Sequence, residues 1–109
     1  MKYIITDKQI KRIEFKYLNY LFEDMYEVHS ERYPNSRFWK IGNEVVLELK
    51  KAGNLWVLYS IWNDISRLFS LDFNETQQLI KEWVEEHLKL GDITPEPVAM
   101  RHRFLVRNI

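Results

Sequence analysis

The chain has 109 residues, 46% of them hydrophobic and 15% aromatic, which suits one compact domain and argues against disorder. It holds no cysteine, which excludes disulfides and thiolate ligands, and no window approaches the roughly 18 apolar residues of a membrane span. Net charge is zero but segregated: residues 61–97 carry eight acids against three bases, and residues 98–109 carry three arginines and no acid. Such patches either neutralise one another in the fold or meet a partner.

The chain begins M-K-Y-I-I-T-D-K-Q, which turns polar after two isoleucines and lacks the apolar run of a signal peptide. The expectation is a soluble, cytoplasmic protein. Tyr3–Ile5 reads as a short strand or an apolar lead-in. Thr6 and Gln9 stand at capping-box spacing, which predicts a helix from there to about Val28. Ile10, Ile13, Tyr17 and Leu21 form one apolar row at helical spacing, and Phe15, Leu18, Phe22 and Met25 form another. So wide a face is buried on two sides or offers its spare row to a partner; burial within one chain is the expectation. His29 follows this helix, where a charged ring suits the C-terminal dipole.

Tyr33-Pro34-Asn35-Ser36 is a turn signal. Arg37–Ile41 reads as a strand, Gly42-Asn43 as a two-residue hairpin turn, and Glu44–Lys50 as a second strand in which Val45, Leu47 and Leu49 alternate with Val46, Glu48 and Lys50. After a turn at Lys51–Asn54 comes a third strand, Leu55–Tyr59. Together they predict a three-stranded antiparallel meander.

Ser60 can cap a short helix through about Phe69, with Ile61, Ile65, Leu68 and Phe69 inward. The next helix is capped by Asp72 or by Asn74, both of which have a suitable residue three positions on. Its apolar side is Leu79, Ile80, Trp83, Val84 and Leu88, and its polar side is Gln78, Lys81, Glu82, Glu85, Glu86 and Lys89. Gly91 is expected to end it, and Pro95 and Pro97 to prevent its resumption. Val98–Arg107 alternates like a last strand. The order of one helix, three strands, two helices and a strand predicts a single α+β domain over residues 1–109. Trp56, Trp62 and Trp83 share faces with aliphatic residues and belong to the core.

The stretch E-W-V-E-E-H-L-K-L (82–90) raises the question of a metal or acid–base site. Helical ligand pairs stand three or four residues apart. From His87 those positions are Val84 and Trp83, or Leu90 and Gly91, and none is a ligand. His87 therefore reads as a half-buried packing residue, and Glu85 with Lys89 as a favourable i,i+4 pair. His102 lies on the inward side of the last strand with Met100, Phe104 and Val106, where a hydrogen-bonded core histidine is the simpler reading. There is no Gly-rich phosphate loop and no G-x-S-x-G elbow. No catalytic residues, metal or cofactor are assigned.

Two basic groups stand out. Arg101, Arg103 and Arg107 share the outward face of the last strand and repel one another unless they meet acids or an anionic partner. Lys8, Arg12 and Lys16 form one row at i,i+4 spacing at the start of the first helix, where cations oppose the dipole. The two groups are candidate contacts for an anionic ligand, since guanidinium forks bind carboxylate and phosphate in bidentate fashion. The alternative is pairing with the acidic third helix. Segments 60–69 and 74–90 with a following strand also fit a winged helix-turn-helix, but Glu75, Glu82, Glu85 and Glu86 on the would-be recognition helix repel phosphate. Trp39 and Trp56 are only a faint echo of base-stacking aromatics.

The stretches Y-I-I-T-D-K-Q, G-N-E-V-V-L-E with G-N-L-W-V, and N-E-T-Q-Q-L-I-K-E-W-V-E-E-H-L-K-L give most of the chain a flavour that resembles uncharacterised small proteins of bacteriophage and environmental viral sequences. The resemblance brings no activity. It implies a phage-like origin, as a virion component or an accessory protein made in the host cytoplasm. From the residues themselves, the first expectation is a non-catalytic module that binds another protein or itself. The second is a nucleic-acid or polyanion binder using Arg101, Arg103, Arg107, Lys8, Arg12 and Lys16.

Overall fold

The alternation across residues 37–58 becomes three adjacent antiparallel strands in the computed structural model, which describes residues 6–98. In chain order the elements are α1 (Asp7–Leu21), β1 (Tyr26–Val28), β2 (Arg37–Ile41), β3 (Glu44–Leu49), β4 (Asn54–Leu58), α2 (Tyr59–Leu68), α3 (Phe73–His87) and β5 (Thr94–Val98). The sheet order is β1-β2-β3-β4-β5. The first four strands pair antiparallel and β5 joins β4 in parallel. Parallel neighbours need a crossover, and α2 with α3 supplies it. The architecture is α+β, with the expected meander extended by one strand on either side.

The meander is held by two kinds of turn and one irregularity. Gly42 has φ 61 in the hairpin between β2 and β3, and Tyr26 donates its hydroxyl to the Gly42 carbonyl at 2.6 Å. Gly53 has φ 98, and a Cβ there would meet the Asp92 carbonyl at 2.7 Å, so only glycine lets the β3–β4 turn approach the segment before β5. The pairing shifts between Trp39, opposite Leu47, and Lys40, opposite Val45, which leaves Val46 as the extra residue of a bulge. Around this bulge Val45, Val46, Leu47 and Glu48 are all buried. Glu48, in the row of Val46 and Lys50, is fully buried, 3.4 Å from the Lys50 ammonium. Lys50 lies 3.7 Å above the Trp56 ring, and the Trp56 indole donates to Glu96 at 3.0 Å, so charge and ring alternate across β3, β4 and β5.

Several boundaries differ from the sequence reading. The first helix ends at Leu21, not near Val28, because Tyr26–Val28 pairs with Phe38–Lys40 and the sheet satisfies that backbone better than three more helical residues would. His29 therefore follows a strand and has no helix end to complement. β4 runs straight into α2 with Leu58 at the cap position and no side-chain cap, so Ser60 sits inside the helix. Asp72 caps α3 through a reciprocal box with Glu75. The helix stops at His87, before Gly91, and Lys89 beyond it takes φ 56, so Glu85 and Lys89 do not form a helical pair. α2 closes with Leu71 N–H on the Ser66 carbonyl and Ser70 N–H on that of Arg67, a Schellman closure with Ser70 at φ 53 where glycine is usual.

β5 is the element the sequence concealed. Pro95 and Pro97 do not interrupt structure; they occupy alternate positions of a strand. The Thr94 N–H points to the β4 side, where it meets the carbonyl of Gly53, the residue just before that strand, at 2.9 Å. Alternation then turns both proline nitrogens to the opposite side, where no donor is lost from the ladder. On that side Gln77 of α3 donates to the Pro95 carbonyl at 2.8 Å. Of the expected strand Val98–Arg107, Val98 closes β5 and the remainder lies outside the described residues.

α3 rests on β5 and α2 on β4 and β5, whereas α1 lies chiefly against α3. The core gathers Leu18, Phe38, Leu47, Leu55, Val57, Ile65, Leu79, Ile80 and Val84 around the nearly enclosed Trp39, Trp62 and Trp83. Trp56 is only partly buried. Trp83 tilts against Phe22 at 4.8 Å between centroids and donates its indole N–H to Asn19 at 2.9 Å, which ties α3 to α1.

Candidate functional site

Of the residues singled out as anion contacts, Lys8, Arg12 and Lys16 lie on α1, and Arg101, Arg103 and Arg107 lie outside the described residues. Lys8, Arg12 and Lys16 are all exposed and make no ion pair with another described residue. Their neighbour Lys11 does pair: its ammonium sits 2.6 Å from Glu82 of α3, and Gln78 donates to the same carboxylate at 3.1 Å. Pairing with the acidic helix thus uses one cation of α1 and leaves the row of three free to face solvent.

The rest of that outer face is not polar. Ile10 is 42% exposed, Ile13 52% and Tyr20 71%. Burial of this row within the chain was the expectation, and at Ile10 and Ile13 the fold departs from it. At 100° per residue the two rows lie side by side. Lys8, Arg12 and Lys16 flank the side toward α3, and Ile13 and Tyr20 flank the side on which Tyr17 meets Phe69 of α2, edge to face at 5.6 Å. α3 in turn exposes Glu75, Glu85 and Glu86. A basic row, an apolar row and an acidic row therefore run along one two-helix surface.

Behind α1, where it meets α3, lies a cavity of about 370 Å³ lined by Lys11, Glu14, Leu71, Asn74, Glu75, Gln78 and Leu79. Glu14 was not singled out from the sequence. It is only 6% exposed, and no donor among the described residues hydrogen-bonds to it. The signal was there: Glu14, Leu18 and Phe22 stand at i, i+4 and i+8, so the carboxyl occupies the buried row. Burial pushes its pKa up, the nearby Lys11 charge pulls it back, and the Glu82 and Glu75 charges push it up again. Glu82 behaves oppositely. Burial raises it, but the hydrogen bonds from Lys11 and Gln78 and the Lys11 charge outweigh burial and hold it below the usual range. One carboxyl disposed to keep a proton thus stands near one disposed to stay ionised.

His87 packs as expected, its ring stacked on Trp83 at 4.6 Å and edge-on to Phe15 at 5.9 Å, although the residue as a whole is exposed rather than half-buried. Among the described residues no three potential ligands converge on a metal position, and no helix is long and apolar enough to cross a membrane. No protein-family model, no curated protein and no solved structure matches the chain.

Proposed function

We propose that the protein is a non-catalytic interaction module that associates with a second copy of itself through the outer face of α1. The observation that carries this reading is the exposed apolar row of Ile13 and Tyr20 beside the solvent-facing row of Lys8, Arg12 and Lys16. Covering the half of Ile13 that is exposed contributes about 1 kcal/mol, and Tyr20 adds area beside it, so the row favours a partner that covers it. Charge favours a second copy in particular. The basic row of α1 lies beside the acidic outer face of α3, and a surface with adjacent rows of opposite sign complements itself when turned about a two-fold axis. A partner seated squarely on α1 meets both of its rows, the apolar one supplying area and the charged one register. The resemblance to phage proteins adds a setting, a virion component or an accessory protein, that a small self-associating module fits.

Sedimentation equilibrium tests the proposal. A dimer is expected at low salt and should weaken as salt rises. Ile13→Asp with Tyr20→Asp should give a monomer that keeps its fold, and Arg12→Glu with Lys16→Glu should weaken association less. A monomer at every salt concentration would overturn it.

One observation favours a second reading. Because Lys8, Arg12 and Lys16 make no ion pair with described residues, they are free to meet phosphate, together with Arg101, Arg103 and Arg107. Salt-sensitive binding of single- or double-stranded nucleic acid by a monomer, lost when these residues become glutamine, would establish that reading.

A further inference from the structure

The cleft between α1 and α3 lies beside the outer face, shares only Glu75 with its acidic row, and has Glu14 at its buried wall. An acidic cluster alone makes no site, since surface carboxylates are satisfied by water. Glu14 is different. The residue is more than nine-tenths buried, lines the cleft, and accepts no hydrogen bond from any described residue. Burial takes part of the hydration from that carboxyl, no described residue supplies a donor in return, and what stays accessible of it opens on the cleft. The one cation nearby, Lys11, is engaged 2.6 Å from Glu82. Glu14 and Glu75 line the open cleft and Glu82 acts on it from beside Lys11, so three carboxyls surround a single lysine.

We propose that this cleft binds an organic cation, an alkylammonium or alkylguanidinium group, whose charged head docks on the Glu14 carboxylate. Three features define the class. The missing partner of Glu14 is a donor, and a charged donor makes the stronger bond to a carboxylate. Gln78 and Asn74 line the same wall with amide oxygens that accept further N–H groups, as a guanidinium or ammonium requires. Leu71 and Leu79 offer apolar surface to a short methylene stem. The cavity of about 370 Å³ sits at the small end of ligand pockets, matching a stem of a few carbons rather than a larger molecule. The head could belong to a free amine or to a lysine or arginine side chain of a peptide; the chemistry at Glu14 is the same.

Amide and carboxyl NMR titrations of the full chain test this. Agmatine and cadaverine represent the free cations, a short acetylated and amidated arginine peptide represents the side-chain source, and pentanol is the uncharged control. The expected result is saturable shifts at Leu71, Asn74, Gln78 and Glu14 with the cations and none with pentanol. Tighter binding of the peptide than of agmatine assigns the site to a protein side chain, and the reverse assigns it to a free amine. Glu14→Gln should weaken binding about tenfold or more, and Glu75→Gln by a smaller factor. In the unsubstituted protein, agmatine should move the titration of the Glu14 carboxyl carbon to lower pH, a readout that does not depend on how the variants fold. The proposal is overturned by the absence of cleft shifts up to about 50 mM cation, by equal binding to Glu14→Gln, or by a Glu14 titration that agmatine leaves unmoved.

Discussion

α1 and α3 are each fifteen residues long and each opens with a reciprocal capping box, yet the fold uses them differently. α3 buries Thr76, Leu79, Ile80, Trp83 and Val84, lies against β5, and receives α1 on its other flank. α1 buries only Glu14 and Leu18 and reaches the rest of the molecule mainly through α3. Local helix signals of equal quality therefore say nothing about how many walls a helix will find. The number of walls decides whether an apolar row becomes core or surface, and α1 has one row more than its surroundings can cover.

The largest expected effects test that asymmetry. Trp83→Ala should cost about 3 kcal/mol or more, since it opens a large cavity and removes the indole bond to the Asn19 side chain that ties α3 to α1. Denaturant unfolding should show the loss in one cooperative transition. Leu18→Ala should cost about 2–3 kcal/mol and act mainly on α1, so hydrogen exchange should rise across residues 7–21 more than in β2–β4. If both substitutions destabilised all elements equally, α1 would be as integral as α3 and the contrast would fail.

The caps give a smaller version of the same comparison. Asp72→Ala removes the α3 box and should cost about 1 kcal/mol of global stability. Thr6→Ala removes the α1 box but should show mostly as fraying of the first turn, with a smaller shift in the global midpoint. A larger global loss at Thr6 than at Asp72 would reverse the assignment of the two helices.

The smallest effect is a pH dependence. Glu14 has a raised pKa in the folded protein, so its contribution is most favourable at pH below the ordinary glutamate value and is lost as pH rises through the folded pKa. Glu82 is lowered, so its contribution is present above that value and is lost as pH falls. Glu14→Gln should therefore raise the denaturation midpoint at pH 7, and the gain should shrink on acidification. Glu82→Gln should lower the midpoint at pH 7, again with the difference closing in acid. Two curves of the same sign would show that the carboxyls do not experience opposite surroundings.

The meander was legible because alternation of period two with glycine turns has few other readings, and Gly42 and Gly53 fall where the turns need them. α3 was legible because its apolar residues keep helical spacing on one side. β1 was hidden because Phe22 and Met25 continue the period of α1, and nothing between Glu23 and Tyr26 has the backbone signature of a break; the pairing with β2 that decides the matter is made across the sequence. β5 was hidden by a rule that proline ends structure, when prolines at alternate positions also fit an edge strand. The basic row of α1 could be read as a row, but not whether α3 would neutralise it. Only Lys11, one position from the row, reaches Glu82. Glu14 was overlooked because acids on a helix are usually solvated, although its spacing to Leu18 and Phe22 already placed it among the buried positions.

The prolines of β5 also set a polarity on any polymer this sheet could make. A strand arriving beside β5 finds no N–H at Pro95 or Pro97, and the Pro95 carbonyl is already taken by Gln77. β1, at the opposite end, is short but retains its amide donors. Misassembly by strand addition would thus have one live end and one dead end among the described strands, so two copies joined β1 to β1 would have no live end left and addition would stop at a pair. Replacing both prolines with valine would make the sheet a two-ended monomer, and the gain would register as faster aggregation rather than as any change in stability.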